Sequence, residues 1–256
     1  PLPLIERSAR GIALTEAGRV LYKRAQGILE LSELTRKEML AMASGFTGTL
    51  HIGTVSSSGA SLLGWRIPAF HQKYPQIGFA IHEGNTFELM EMLESGLIEL
   101  AIVRTPFHND QLNCLYLSPE PMIAAGAASF FPAGMPSGQP ISLELLGHAP
   151  VILYRRFEKI LLSLCEQKGI TPQVFCIADD ARTTLMWAEA GLGVAVVPQS
   201  AYRIMPHHNM VYGELSEEDL HTRIAAVCKK GCSLSWAAQQ FLEIFAQHPP
   251  SAQTGI

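Results

Sequence analysis

The chain has 256 residues, of which 48% are hydrophobic and 16% are charged, and its formal net charge is -4. This length suffices for one large domain or two ordinary ones, and the apolar content excludes a disordered or low-complexity chain. The mild negative charge argues against a protein that binds nucleic acid with its whole surface. It does not exclude a local DNA-binding element.

The charge is unevenly distributed along the chain. Residues 1–45 hold seven basic and five acidic side chains, a net of +2, whereas the remaining residues carry a net of -6. The chain starts at Pro1 without an initiator methionine, so we expect it to be a piece of a longer protein. No stretch has the pattern of a membrane helix or an export signal, and five cysteines without a framework favour reduced thiols and a cytoplasmic location.

The first predicted element in chain order is a long helix over residues 15–43. Thr15 is a good N-cap residue, and Glu16 lies in the first turn near the positive end of the helix dipole. Apolar residues recur at intervals of seven, as at Leu21 and Ile28, and form one stripe. A helix of this length with a single apolar stripe favours a partner helix, and the alternative is a surface helix that packs on its own domain.

From Thr47 onward, short apolar strands alternate with helices, which predicts parallel sheets with right-handed crossovers. The pattern restarts after a loop rich in proline and glycine, so we expect two lobes of similar size joined by crossing strands. The predicted strands are 50–55, 78–82, 100–104, 121–127, 151–154, 173–177, 194–197 and 222–228. The predicted helices are 60–74, 85–95, 157–168, 181–190 and 235–247.

Several motifs follow one another in a fixed order along the chain. The run 6–18, E-R-S-A-R-G-I-A-L-T-E-A-G, is similar to the wing and linker-helix start of the LysR-type transcriptional regulators, with Ile5 in place of the usual Phe. The segment 93–102, L-E-S-G-L-I-E-L-A-I, resembles that family's L-x-x-G-x-x-D-x-x-I, with Glu99 for the usual Asp. The segment 190–198 resembles its A-G-x-G-I-x-x-x-P. Each motif alone is weak, but their order over nearly the whole chain makes the resemblance specific.

The resemblance implies an α/β fold with two Rossmann-like lobes, similar to type 2 periplasmic binding proteins, after a long linker helix and a remnant of the wing of a winged helix-turn-helix. The implied domains are the wing remnant, the linker and dimerisation helix, lobe I and lobe II, at residues 1–14, 15–45, 47–118 with 222–248, and 119–221.

The same resemblance implies a DNA-binding transcriptional regulator, not an enzyme, that forms a homodimer or a homotetramer. Most of its DNA-reading domain would lie upstream of Pro1. Arg7 and Arg10 would lie on the wing and contact DNA phosphates or the minor groove, and the alternative is a solvated turn.

The predicted ligand cleft lies at the carboxyl ends of the strands, where open α/β sheets bind ligands, often at helix N-termini that attract anions. The hydroxyls and free amides of Ser56, Ser57 and Ser58 suit a carboxylate, unless one serine is simply an N-cap. Thr86 lies at the next junction between a strand and a helix, with the same alternative, and the family often has an effector-contacting Thr or Ser there.

Four further residues complete the predicted effector site. Arg104, followed by Thr105, ends a strand and can pair with an anionic effector, and the alternative is a solvated arginine. Tyr154 should reach the cleft from lobe II, unless it is a core tyrosine. Gly193, like Gly191, should allow a close backbone approach, so any ligand contact there would use main-chain groups.

The motifs of other protein classes do not assemble. Cys228 and Cys232 have no second pair with which to bind zinc, and neither a nucleophile elbow nor a phosphate-binding loop occurs, so we expect no metal, cofactor or catalytic site. We therefore expect a regulator whose C-terminal domain binds a small anionic metabolite as co-inducer. The alternative is a periplasmic-type solute-binding protein of a transporter, which needs an export signal but neither a wing nor a linker helix.

Overall fold

The computed structural model describes residues 2–8, 11–43, 47–204 and 209–247, without the side chains of residues 7, 8, 11, 56–62 and part of the first helix. These residues form a mixed α/β structure. The strands are β1 (Ile5–Ser8), β2 (Gly11–Leu14), β3 (Gly48–Thr54), β4 (Ile77–Glu83), β5 (Leu100–Arg104), β6 (Leu112–Tyr116), β7 (Glu120–Ala127), β8 (Gln139–Ile141), β9 (Pro150–Tyr154), β10 (Gln173–Ala178), β11 (Val194–Pro198), β12 (Met210–Leu215), β13 (His221–Thr222) and β14 (Ile224–Lys229). The helices are α1 (Glu16–Ala43), α2 (Ser56–Lys73), α3 (Thr86–Glu94), α4 (Glu158–Gln167), α5 (Ala181–Glu189), α6 (Gln199–Tyr202) and α7 (Trp236–Phe245).

The N-terminal arm consists of a two-stranded hairpin and the long helix α1. Strands β1 and β2 pair antiparallel, with Ile5 opposite Leu14. The hydroxyl of Thr15 accepts a hydrogen bond from the backbone N–H of Gly18 at 3.0 Å, which confirms Thr15 as the N-cap of α1. On the helix, Leu21 and Ile28 are 50% and 67% exposed. No other part of the described chain packs over the apolar stripe enough to bury it at these two positions.

Lobe I is built on a five-stranded sheet in the order β4-β3-β5-β14-β6. Strands β3, β4 and β5 are parallel, and β14 runs antiparallel to both of its neighbours. Apolar clusters cover both faces of the sheet. Phe70 and Phe241, from α2 and α7, are buried on one face, and Leu89 of α3 is buried on the other. Burial on both faces explains why the strands read as apolar runs.

Lobe II is built on a second sheet in the order β10-β9-β11-β7-β12-β8, with β13 paired to β7. Strands β9, β10 and β11 are parallel, and β7 is antiparallel to β11 and β12. Helices α4 and α5 contribute Leu161 and Leu185 to the apolar cluster that buries Leu153 of β9. The inner parallel strands β9 and β11 are buried along almost their whole length, whereas β10 at the edge of the sheet is partly exposed.

Two strands carry the chain between the lobes. The chain leaves lobe I between β6 and β7 and returns through β13 into β14. At this crossing, β13 pairs antiparallel with the start of β7, so that Thr222 lies opposite Glu120. The α/β fold of two lobes joined by crossing strands, which the sequence predicts, is confirmed.

The differences from the predicted elements have local causes. Strands β6 and β12 were not predicted, because Asn113 and Gly213 interrupt their apolar patterns, and β8 was not predicted because it has only three residues, one of them Pro140. A Cβ on Gly213 would lie 2.6 Å from a side-chain carbon of Ile141, so this glycine is what lets β12 pair closely with β8. Helix α2 begins at Ser56, four residues before the predicted start, so the serine run forms its first turn.

Candidate ligand-binding cleft

The carboxyl ends of the parallel strands of both lobes face each other across a cleft. One side chain makes this plain, since Arg156, which follows β9 in lobe II, forms hydrogen bonds with Thr86, Arg104 and Pro106 of lobe I. The cleft is therefore lined by the strand ends that the sequence analysis singled out, as expected for an open α/β sheet.

Thr86 is the first residue of α3 and lies on the lobe I side of the cleft. The alternative that Thr86 caps its helix is wrong, because Asn85 is the N-cap and its side chain accepts from the backbone N–H groups of Phe87 and Glu88. The hydroxyl of Thr86 instead accepts from Nη1 of Arg156 at 2.8 Å. Thr86 thus offers its hydroxyl to a group that crosses from the other lobe.

Arg156 makes this crossing with electrically neutral partners. Its Nη2 donates to the carbonyl oxygen of Arg104 and, at 3.1 Å, to that of Pro106. Its buried Nε has no hydrogen-bond partner among the described residues. Burial lowers the pKa of Arg156, the charge of Arg104 lowers it further, and Tyr154 acts in the opposite direction. Arg156 is a half-buried cation whose hydrogen bonds all go to neutral oxygens.

Arg104 ends β5, but its side chain turns away from the cleft into the crossing between the lobes. Only 1% exposed, it donates from Nη1 to Glu120 at 2.5 Å and to Thr222 at 2.7 Å, and from Nη2 to Ser200 at 2.9 Å. We call Arg104, Glu120, Ser200 and Thr222 the hinge cluster. The alternative of a solvated arginine is wrong, because the guanidinium is buried and paired with a carboxylate.

Glu120 holds the hinge cluster to lobe II. Its Oε2 accepts from the backbone N–H of Ser200 at 2.6 Å, and its Oε1 accepts from the hydroxyl of Ser200 at 2.9 Å. Since Arg104 comes from lobe I, Glu120 from the outgoing crossover and Ser200 from α6 of lobe II, one buried ion pair joins all three parts.

The other arginines beside the cleft have acidic partners. Arg155 pairs with Asp179, and this hydrogen bond raises the pKa of Arg155. Arg182 pairs with Asp180 at 2.9 Å, which raises the pKa of Arg182, and it lies 4.0 Å from Glu83 of the opposite lobe. Arg156 therefore differs from its neighbours in having no carboxylate partner in the part of the chain that the structure describes.

The serine run lies at the expected place, although the side chains of Ser56, Ser57 and Ser58 lie outside the described residues. They form the first turn of α2, directly after β3. The N-cap residue is Val55, which provides no side-chain hydrogen bond to the helix. A helix start without a capping side chain leaves first-turn amides to other acceptors.

Thr105 lies next to the cleft but is engaged with the return strand. Its backbone N–H donates to the carbonyl oxygen of Arg223 at 2.8 Å, and its hydroxyl accepts from the N–H of Arg223 at 2.9 Å. The side chain of Thr105 thus contributes to the crossing between the lobes.

Tyr154 and Gly193, the two residues predicted to reach the cleft from lobe II, are both buried. Tyr154, at the carboxyl end of β9, is 6% exposed and packs edge-on against Phe157 with ring centroids 5.7 Å apart, as the core alternative predicts. A Cβ on Gly193 would lie 2.5 Å from the carbonyl oxygen of Pro150, which confirms the predicted close backbone approach. Since Pro150 begins β9 and Tyr154 ends it, the structure does not bring Gly193 to the edge of the sheet that faces the cleft.

The predicted DNA contacts fall mostly outside the description. Arg7 belongs to β1, where it is paired with Ile12, but its side chain lies outside the described residues. Arg10 lies outside them altogether.

Sequence reasoning missed Arg156 and the partners of Arg104. The sequence signal for Arg156 is a run of two arginines, Arg155 and Arg156, directly after the apolar strand that ends at Tyr154. No signal in the sequence joins Arg104 to Glu120, which lies on the other side of β6.

Other kinds of site find little support in the described residues. No group of three or more His, Cys, Asp or Glu side chains among them is arranged to hold a metal ion. None of the helices in the described part of the chain is both long and apolar enough to cross a bilayer. All five cysteines are free thiols.

Comparison with known proteins gives one consistent result. Residues 43–250 match the family model of the LysR substrate binding domain. The HTH-type transcriptional regulator BudR of Raoultella terrigena is 29% identical over 252 residues, which cover 95% of this chain and 84% of BudR. The DNA-binding transcriptional dual regulator OxyR of Escherichia coli is 23% identical and covers 94% of this chain and 79% of its own length. These relatives are transcriptional regulators rather than enzymes.

Solved structures agree on the fold. HinK, a LysR family regulator from Pseudomonas aeruginosa, superimposes with a TM-score of 0.68 at 24% identity, covering 91% of this chain and 80% of HinK. CbnR in complex with its target DNA gives 0.67 at 21% identity, covering 95% of this chain and 83% of CbnR. Because the matched family model covers most of the chain, the protein belongs to the LysR family of transcriptional regulators and carries the substrate-binding domain of that family.

Proposed function

We propose that a small anionic metabolite binds between the lobes as a co-inducer and thereby controls how the regulator binds DNA. The observation that supports the anionic character is Arg156, a half-buried cation in the cleft whose hydrogen-bond partners among the described residues are all neutral. An uncompensated charge costs free energy when it is withdrawn from water, and an anionic ligand removes that cost.

The lobe I wall supplies groups that suit such an anion. The first turns of α2 and α3 follow the carboxyl ends of β3 and β4, with Ser56, Ser57 and Ser58 in one and Thr86 in the other. Helix N-termini favour negative charge through their free N–H groups and their dipole. We assign these residues and Arg156 to the effector site, and we assign Arg104 and Thr105 to its support at the crossing. Tyr154 ends β9, two residues before Arg156, and we assign it to the core that supports this side of the site.

DNA is the second partner that we propose. The similar CbnR has been solved with its target DNA, which supports this assignment. In this chain Arg7 and Arg10 would be the DNA contacts of the β1–β2 hairpin, next to a DNA-reading domain that precedes it. Such a regulator acts where the bacterial DNA is, in the cytoplasm.

A second copy of the chain is the third partner. The exposed side chains of Leu21 and Ile28 lie on one stripe of α1, together with nearby exposed Leu29 and Met39. We propose that α1 pairs with its equivalent in a homodimer and that lobe contacts extend this to a tetramer. Ligand-driven changes in lobe closure then alter the spacing of two DNA-binding heads.

The test is a thermal-shift titration of the chain with small carboxylic acids, each matched to its neutral amide. A ligand that binds only the folded state at 100 times its Kd stabilises it by about 2.7 kcal/mol, or several degrees in Tm. We expect at least one carboxylate, and not its amide, to raise Tm. If only neutral compounds raise it, the anionic assignment is wrong.

A further inference from the structure

We infer that Arg156 is the residue that binds the carboxylate of the effector, and that in the unliganded protein the same side chain latches the two lobes together. This inference rests on the function proposed above and deepens it, because it assigns the ligand contact to one side chain and derives the regulatory step from its present partners.

The latch consists of three hydrogen bonds that all end on lobe I. Nη1 of Arg156 donates to the hydroxyl of Thr86 at 2.8 Å, and Nη2 donates to the carbonyl oxygens of Arg104 and Pro106. Arg156 itself lies in the short 3-10 helix Arg155–Phe157 of lobe II. Every one of these bonds must therefore break or rearrange when the lobes move apart at this point.

The latch is electrostatically incomplete. Carbonyl and hydroxyl oxygens satisfy hydrogen bonds of a guanidinium but do not neutralise its charge, and Nε of Arg156 is buried without any partner among the described residues. A buried donor without an acceptor is itself costly. Arg104, Arg155 and Arg182 each have a carboxylate within 2.9 Å, whereas Arg156 has none among the described residues.

The geometry of the guanidinium selects the ligand. A carboxylate binds an arginine most strongly through two parallel hydrogen bonds, and the Nε–Nη2 edge is one of the two edges that offer such a pair. On Arg156 the Nε donor is buried and has no partner among the described residues, so a carboxylate reaches it only when the guanidinium shifts, whereas Nη2 is held by two backbone carbonyls. A carboxylate that takes this edge must draw Nη2 away from Arg104 and Pro106, while the bond from Nη1 to Thr86 can remain.

Binding therefore replaces part of the contact between the lobes by a contact with the effector. The carbonyl oxygen that is released belongs to Arg104, whose side chain holds the hinge cluster together. The hydrogen bond that the effector replaces therefore ends on the backbone of Arg104, whose side chain belongs to the hinge cluster. We identify the effector as a compound with one carboxylate at this position, because the neighbouring arginines already have acidic partners.

Two adjacent arginines provide the experiment with a matched control. Arg156→Met removes the guanidinium that we propose binds the effector. Arg155→Met removes a neighbouring guanidinium that is 55% exposed and pairs with Asp179. Arg156→Lys keeps the charge but lacks the planar fork, and Thr86→Val removes the acceptor of Nη1. The 256-residue chain and its variants are titrated with acetate, propionate, benzoate and succinate, and with acetamide and benzamide as neutral controls, by thermal shift and calorimetry.

We expect at least one monocarboxylate to bind the parent chain and the Arg155→Met variant equally well. Arg156→Met should bind it roughly 10- to 100-fold more weakly, the range of one or two charge-assisted hydrogen bonds, and Arg156→Lys should be intermediate. Without ligand, hydrogen exchange of the segment 104–108 should be faster in Arg156→Met than in the parent, because the latch is lost.

The possible failures are distinct. Equal affinity of the parent and Arg156→Met for a carboxylate overturns the inference but leaves the proposed co-inducer in place. Failure of every carboxylate to bind the parent overturns the proposed anionic effector and the inference with it. If Arg156→Met does not fold, the affinities of Arg156→Lys and Thr86→Val decide, since unchanged affinity in both would equally overturn the assignment.

Discussion

Two arginines meet at the junction of the lobes, and their surroundings differ in one essential respect. The guanidinium of Arg104 is 1% exposed and lies against the carboxylate of Glu120, with hydroxyls of Ser200 and Thr222 around it. The guanidinium of Arg156 donates to the backbone carbonyl of Arg104 itself, yet no carboxylate of the described residues pairs with it. The first arginine has its counter-charge within the chain, and we propose that an anion supplies the counter-charge of the second.

This contrast separates a structural charge from a binding charge in physical terms. Breaking a buried ion pair by removing one partner is strongly destabilising, because the other charge is left buried and unpaired. A cation that has only neutral partners gains when a counter-ion arrives. Substitutions at the hinge cluster should therefore change stability, whereas substitution of Arg156 should change ligand binding.

The largest effect is expected from Arg104→Met. It leaves the carboxylate of Glu120, which is 17% exposed, without its cation. Loss of one partner of a buried pair costs about 3 kcal/mol of the free energy of unfolding. Urea unfolding at pH 7 measures it, with Arg155→Met as the exposed control. A loss as small as that of the control would show that the hinge cluster is not a structural ion pair.

A smaller loss should follow from Ser200→Ala. The hydroxyl of Ser200 accepts from Arg104 and donates to Glu120, while its backbone N–H keeps the second oxygen of Glu120. Because the ion pair and the backbone bond persist, we expect a loss of about 1 kcal/mol in the same urea experiment. A loss equal to that of Arg104→Met would mean that the hydroxyl, rather than the charge pair, holds the crossing.

Arg156→Met should have a still smaller effect on the unliganded protein. Three hydrogen bonds are lost, but an uncompensated cation is no longer withdrawn from water, and the two contributions oppose each other. We expect the unfolding free energy to stay within about 1 kcal/mol of the parent value. A loss as large as that of Arg104→Met would erase the distinction between the two arginines.

Glu83→Gln should have the smallest effect of the four. Glu83 is 55% exposed and 4.0 Å from Arg182, which already pairs with Asp180. Exposed pairs of this kind contribute little, so we expect a change below about 0.5 kcal/mol. A larger change in urea unfolding would show that the exposed contact between Glu83 and Arg182 contributes to holding the lobes together.

Much of the fold was predictable because buried parallel strands are continuous apolar runs. The segments around Ile102, Ile152 and Val196 read as strands from their composition alone, and the structure confirms them. Strand β12 was missed because Gly213 and Glu214 break its pattern, and only the neighbouring strand β8 explains why a glycine is needed there.

The candidate site was predictable in position but not in detail. The rule that ligands bind at the carboxyl ends of parallel strands led to Thr86 and Arg104. It cannot say where a long side chain points, and Arg104 turns into the crossing because Glu120 approaches from the outgoing strand. Arg156 was overlooked because one of two adjacent arginines becomes distinctive only when the partners of both are known.

The central claim is that an anion completes the environment of Arg156, and its Nε–H group reports this directly. Nitrogen-15 NMR of arginine side chains, during titration with the monocarboxylate that binds the parent chain, resolves Arg156 from Arg155 once each is assigned by substitution. We predict that the Arg156 Nε–H signal moves downfield and saturates with the carboxylate but not with its amide, while the Arg155 signal stays in place. A saturating ligand that leaves the Arg156 signal unmoved would contradict the account.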